Sequence, residues 1–402
     1  MSPLPSYTRF GGVHPETAAL GNCLNAAGMR APHTGQPYSE AMLLGIGGGL
    51  GAGYILWEFT QHHARVLVVA FRHTWQYPIR FLETICQRIG AGATVHETSG
   101  QVTAARQLQE ALAAGTPPVA WVDRAHMPYL LLPAVLKGHF GHFVAVAGQD
   151  GDAVIVDDRA RRPFPVPADD FAAARGRITS YKNRLLIPVP QDPATTPDLQ
   201  AAVEAGLRDC VANLASKSDS FSLPALRKWA RMMTDRKNPK AWPVLFANPR
   251  GLYGLLQSVY EGIALDGTGG DGLRSLYAAF LDEAAPIVGR PALAEVATRY
   301  RELAAEWVAL AAAALPGDVP ELRQARELLR EKHERLMDGG EAAVVATEPL
   351  AARIHAHYTA LNRDFPLDAV ATETLFADLA DRLRALHANE VAAAGALGEA
   401  LG

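Results

Sequence analysis

The sequence predicts an α+β domain followed by an all-helical domain. Three observations predict it. Up to about residue 190, short β-branched runs alternate with helical patterns. The segment 188–198, "PVPQDPATTPD", is rich in Pro, Thr and Asp and reads as a connection. Beyond it, apolar residues recur at helical spacing and almost nothing alternates with a period of two. These boundaries place the first domain at 1–190, a linker at 191–198 and the helical domain at 199–402.

Taken in order, an early helical segment starts near Asn22 and a second near Ser39. "GYILWEF" (53–59) and "RVLVVAF" (65–71) read as strands, with His62 and His63 in a polar surface turn between them. "PIRFLETICQRIG" opens on Pro78, a favoured first-turn residue, and stops at Gly90. "SGQVTAARQLQEALAAG" has Ser99 to cap it and Gly115 to end it. "PVAWV" (118–122), "FVAVAG" (143–148), "AVIVD" (153–157) and "RLLIPV" (184–189) complete the strands. The second half, from "DLQAAVEAGLRDCVANLA" to the Ala-rich C-terminus, has the texture of a bundle without a fixed-period repeat.

Bulk properties exclude several classes. A formal net charge of -4 argues against a nucleic-acid partner. No apolar run approaches the length of a membrane span, and the N-terminus lacks the pattern of a signal peptide. The three cysteines, Cys23, Cys86 and Cys210, form no Cys-x-x-Cys pair, so neither a disulfide framework nor a cysteine zinc site is expected. The expectation is a cytoplasmic protein with reduced thiols and neither metal nor cofactor.

One stretch carries chemistry. "GHFGHFVAVAGQDGDAVIVDD" (138–158) contains two apolar strands joined at an Asp-Gly turn, a strong hairpin signal. His142 shares a strand face with Val144 and Val146. A three-residue loop with Gly151 in the bulge position puts Asp158 directly across from His142. A two-residue Asp150-Gly151 turn instead brings Asp157 diagonally onto its face. Either carboxylate would fix the imidazole tautomer and stabilise the imidazolium. Cys23 follows Gly21-Asn22, both acceptable caps, which would place the thiol near a helix N-terminus, where the dipole favours thiolate. There the Cys23 N–H could also face an oxyanion. An early Cys, a distant His and a carboxylate soon after it form a papain-like nucleophile–base–orienter order.

On "GNCLNAAG", "SEAMLLGIGGGLGAGY", "GHFVAVAGQDGDAVIVDD" and "GTGGDGLRSLYAAFLDEAA", the chain resembles the butirosin-biosynthesis protein H family. That family pairs a papain-like domain with a helical one. The first domain also resembles bacteriocin-processing cysteine peptidases fused to ABC transporters. These share the sixteen-residue His-to-Asp spacing of His142 and Asp158, which favours Asp158 over Asp157. In those relatives Pro follows the Asp; here Arg159 does. They carry an oxyanion Gln six residues before the Cys; here Thr17 stands there, with Asn22 as a substitute. The resemblance implies acyl transfer from an acyl carrier protein or similar thioester to a small-molecule amine. Cys23 would form the acyl-enzyme, with His142 as base and Asp158 orienting it. Two alternatives stand beside it: a cysteine hydrolase (peptidase or amidase) on the same fold, and a non-catalytic binding protein. A homo-oligomer is compatible with either domain.

The remaining motifs have plainer readings. Cys86 and Cys210 lie on amphipathic helices and read as packing, and His139 as a loop residue. The glycines of "GIGGGLGAGY" precede a strand instead of following one, so they lack the context of a dinucleotide site and read as close-packing positions. The family likeness puts Glu40 and Gly48 at the border of the active site. "GTGGDGLR" (267–274) reads as a tight turn into a helix with the makings of an anion site. Arg227, Lys228, Arg231, Arg236, Lys237 and Lys240 form a basic run that would suit an acidic carrier protein or, more plainly, a solvated face.

Overall fold

The computed structural model describes residues 3–59, 64–190 and 197–402. His62, His63 and most of the expected linker lie outside the described residues. The chain forms two compact units that do not follow chain order. Unit 1 comprises Met1–Leu43, Pro78–Ala202 and Lys332–Ala351, and unit 2 comprises Leu44–Tyr77, Val203–Glu331 and Ala352–Gly402.

The elements run as follows. Helices α1 (Pro15–Ala26) and α2 (Glu40–Ile46) precede strands β1 (Leu50–Phe59) and β2 (Ala64–Arg72). Then come α3 (Pro78–Arg88), β3 (Ala91–His96), α4 (Gln101–Ala113) and β4 (Val119–Asp123). Strands β5 (Gly141–Asp150), β6 (Ala153–Asp157) and β7 (Phe164–Pro167) lead to α5 (Ala168–Arg177) and β8 (Leu185–Pro190). The rest is helical: α6 (Leu199–Leu214), α7 (Pro224–Thr234), α8 (Trp242–Leu245), α9 (Leu252–Ala264) and α10 (Arg274–Val288). It ends with α11 (Ala292–Ala314), α12 (Pro320–Gly339), α13 (Glu341–Arg363) and α14 (Ala369–Leu401). The expected order, an α/β region followed by a helical one, is therefore present.

Unit 1 is built on a six-stranded antiparallel sheet in the order β3-β8-β4-β5-β6-β7. All five residues of β4 are buried, because helices cover both faces. On one face Ala120, Val122, Val144, Val146, Val154 and Val156 pack against Leu108 and Leu112 of α4 and Phe171 and Ala174 of α5. On the other, α1 lies across β4, β5 and β8, with α3 beside it. The sequence pattern missed β3 and β7. Both are edge strands. β7 carries Pro165 and Pro167, which a sheet tolerates only at its edge.

The chain beyond residue 199 is helical, as expected, and unit 2 adds to it a hairpin from the first half of the sequence. The β1–β2 hairpin packs with the helices: Tyr54 stacks on Trp229 at 5.7 Å, and the Leu67 amide donates to the Ser258 hydroxyl at 2.9 Å. The glycine-rich stretch before β1 makes this contact possible. A Cβ at Gly45 would lie 2.2 Å from the Phe280 ring, and one at Gly49 2.5 Å from Tyr277. These are close-packing glycines, as the sequence context suggests.

Candidate functional site

The β5–β6 hairpin differs from both expected turns. Asp150 pairs with Ala153 across a Gly151-Asp152 turn, with Gly151 at φ +57°. A bulge at Ala147 then shifts the register, so that Ala145 faces Asp157. The ladder ends there. Asp158 therefore lies just past the strand, where Arg159 adopts φ +62°. From that position its Oδ1 meets His142 Nε2 at 2.8 Å.

Asp158 is fully enclosed. Tyr129 donates its hydroxyl to Oδ2 at 2.8 Å, and Arg159 Nε donates to Oδ1 at 3.2 Å. Burial alone would raise this carboxyl's pKa. The charges of His142 and Arg159, with hydrogen bonds from His142 and Tyr129, outweigh burial and hold it well below the usual carboxylate range. With Nε2 committed to Asp158, Nδ1 is the imidazole nitrogen left for chemistry. His142 itself is 6 % exposed and pairs with Val122 on β4, so it belongs to the face covered by α4 and α5.

Asp157 points the other way. Its oxygens accept the Tyr7 hydroxyl at 2.7 Å, the Asn22 amide at 2.7 Å and the Gly11 N–H at 3.3 Å. Burial nevertheless pushes its pKa up to about 6, against the lowering effect of these hydrogen bonds. Asn22 also donates to the Gly11 carbonyl at 3.0 Å. Its amide is thus consumed in structure, which corrects the expectation that it serves an oxyanion.

The structure also corrects the position of Cys23. Helix α1 begins at Pro15, so Cys23 sits in its second half, away from the N-terminal N–H groups. The thiol is wholly buried, and its pKa is raised well above the usual value by burial, then by the charge of Asp157, then by Cys86. It lies on the helix that covers the side of the sheet to which Asp157 turns. His142 occupies the opposite face with Asp158. Cys23, on α1, and His142, on the face covered by α4 and α5, therefore lie on opposite sides of the sheet.

The true N-terminus of α1 reads His14-Pro15-Glu16-Thr17 and contains no thiol. Glu40 closes it. Its carboxylate accepts the Val13 N–H at 2.8 Å, the His14 N–H at 2.6 Å and the Thr17 hydroxyl at 2.9 Å. Burial raises the Glu40 pKa, and the hydrogen bonds from His14, Val13 and Thr17 oppose it. Gly48 belongs to unit 2, where a Cβ would meet the His73 ring at 2.7 Å.

A second histidine–carboxylate pair escaped the sequence reading. Asp123, at the end of β4, accepts His126 Nδ1 at 2.5 Å and the Gly138 N–H at 2.7 Å. Its Oδ1 is buried with no hydrogen-bond partner among the described residues. Asp123 is opposite Gly141, on the α1 face, where Tyr181 also lies; a Cβ at Gly141 would strike the Tyr181 hydroxyl. The only signal was the Asp-x-x-His spacing at a strand end. His139 is an exposed residue ahead of β5. The 267–274 loop does form a turn into α10, and its Arg274 is buried against Glu390 at 2.8 Å.

No curated protein matches the chain. Two family descriptions do. "Butirosin biosynthesis protein H, N-terminal" covers residues 14–159, and "Domain of unknown function (DUF4872)" covers 169–337. In that succession the pair spans most of the chain, and the chain belongs to the butirosin-biosynthesis protein H-like family.

Proposed function

We propose that this chain acts in secondary-metabolite biosynthesis by joining an acyl group, presented as a carrier-protein or similar thioester, to a small-molecule amine. The observation that supports this reading is the His142–Asp158 pair, held by Tyr129 and Arg159. The placement of Cys23 favours direct aminolysis over an acyl-enzyme. The amine nitrogen attacks the thioester carbonyl and passes its proton to His142 Nδ1. The carbon–sulfur bond breaks, and the leaving thiolate takes that proton back as the amide forms. Asp158 stays ionised and stabilises the imidazolium between the two transfers. Base catalysis of this kind contributes roughly 10²- to 10⁴-fold.

The test is amide formation from a panel of acyl thioesters and amines, followed by chromatography and intact mass. Amide should form, His142→Gln should abolish it, and Cys23→Ser should leave it within a few-fold. An acyl adduct on Cys23, or loss of activity in a folded Cys23→Ser protein, would overturn direct aminolysis.

A second reading, a non-catalytic binding protein of this family, is favoured by one observation: His142 is almost wholly buried. It predicts that ligands raise the melting temperature while no thioester is consumed.

A further inference from the structure

Helices α7 and α14 pack against each other within unit 2. Between them lies a cavity of about 380 Å³ lined by Arg227, Arg231, Thr234, Arg384 and His387. Arg227 and Arg231 are one turn apart on α7, and Arg384 and His387 one turn apart on α14. Basic side chains from two helices thus converge on one space. Like charges at this spacing repel, so the arrangement is unfavourable until an anion joins it.

The protein's own carboxylates neutralise it only in part. Arg384 pairs with Asp381 on its own helix. Arg231 feels Asp235, whose Oδ1 is occupied by the Lys237 and Asn238 amides. Glu390, one turn beyond His387, is bound by Arg274 and by Trp307 Nε1, each at 2.8 Å. Lys228, also on α7, turns to Asp219 at 3.3 Å. Burial and then the Arg227 charge lower the His387 pKa, while Glu390 opposes them, so the local field is positive. Arg384 donates to the Thr234 hydroxyl at 3.3 Å, a contact that bridges the two helices beside the cavity.

We propose that this cavity binds a phosphate-bearing small molecule. Its phosphate or pyrophosphate group is held by Arg227, Arg231 and Arg384, with Thr234 and His387 completing the site. Guanidinium forks match phosphate oxygens in pairs, and Arg is favoured over Lys where that geometry matters. The volume lies within the range of small-molecule sites. A concave space favours a small ligand over the flat acidic face of a protein. The site lies wholly within unit 2 and does not depend on the chemistry proposed for His142.

The experiment is calorimetric titration of the full chain with inorganic pyrophosphate, with a glutamate-rich peptide as the second titrant. Pyrophosphate should bind saturably, and Arg231→Gln and Arg384→Gln should each weaken it about tenfold, or about 1.4 kcal/mol. Both side chains are exposed, so the melting temperature of the unliganded protein should not change. Should either variant misfold, Thr234→Ala, also at an exposed position, should still weaken pyrophosphate measurably. Absence of saturable binding at millimolar pyrophosphate would overturn the proposal. So would unchanged affinity in the folded variants, or a peptide that binds more tightly than pyrophosphate.

Discussion

Asp157 should make this protein less stable as the pH rises from about 4 to about 6. Its pKa in the folded chain is raised to about 6, against about 3.9 for an unfolded aspartate. The folded state therefore binds its proton more tightly than the unfolded state does. The contribution is fully present below the unfolded value and is lost as the pH passes through the folded one. A shift of about two units corresponds to about 3 kcal/mol. Glu40 is shifted in the same direction, and Asp158 in the opposite direction with its window below the usual aspartate pKa. A difference measurement isolates Asp157. Urea unfolding of the wild type and of Asp157→Asn is followed at pH 4.5, 5.5, 6.5 and 7.5 under the linear extrapolation. The amide can still accept from Tyr7 and Asn22 and loses mainly the long 3.3 Å bond from Gly11, a cost of about 1 kcal/mol that does not vary with pH. The wild type should lose stability relative to the variant across this window. If the difference stays flat or moves the other way, the hydrogen bonds outweigh burial and the reasoning about Asp157 fails.

Other outcomes follow from the same geometry. Native Cys23 should alkylate far more slowly than a model thiol at pH 8, and at the ordinary rate in urea, since burial and Asp157 both disfavour the thiolate; fast, base-dependent labelling of the folded chain would refute this. Glu40→Ala should cost about 1–3 kcal/mol in chemical denaturation, because it strips the Val13 and His14 amides and the Thr17 hydroxyl of their acceptor. Gly141→Ala should destabilise the start of β5 through its clash with Tyr181, visible as faster amide exchange there, and Tyr181→Ala in the same chain should restore protection.

The central strands β4, β5, β6 and β8 and the helices α3 and α4 of unit 1 were legible because periodicity and punctuation agreed: Gly90 and Gly115 end their helices with positive φ, as expected, whereas the edge strands β3 and β7 and helix α5 were not. The partition into units was not, because β1 and β2 look like members of the first sheet, and only packing against Trp229 and Ser258 assigns them elsewhere. The start of α1 was misread for a related reason. Gly21-Asn22 resembles a cap, yet Pro15 begins the helix and its closing carboxylate, Glu40, comes from another element.

The same distinction decides the candidate site. Pairing His142 with a nearby acid needed only the hairpin, and two adjacent aspartates made the reach robust: neither expected turn formed, yet one carboxylate still arrived. Which one arrived depended on the bulge at Ala147 and on where the ladder stopped. Pairing Cys23 with His142 needed two facts that a hairpin does not contain, the phase of α1 and the sheet face it covers. Asp157 reports both. It is bound to Asn22, the neighbour of Cys23, while Asp158 is bound to His142. Asp157 ends the ladder and faces the α1 side, while Asp158, just past it, turns to the side of His142, so the two carboxylates mark the faces on which the thiol and the base lie. In the amide formation proposed above, the substrate supplies the nucleophile for His142, and an amine, already nucleophilic once deprotonated, fills that role without a covalent intermediate.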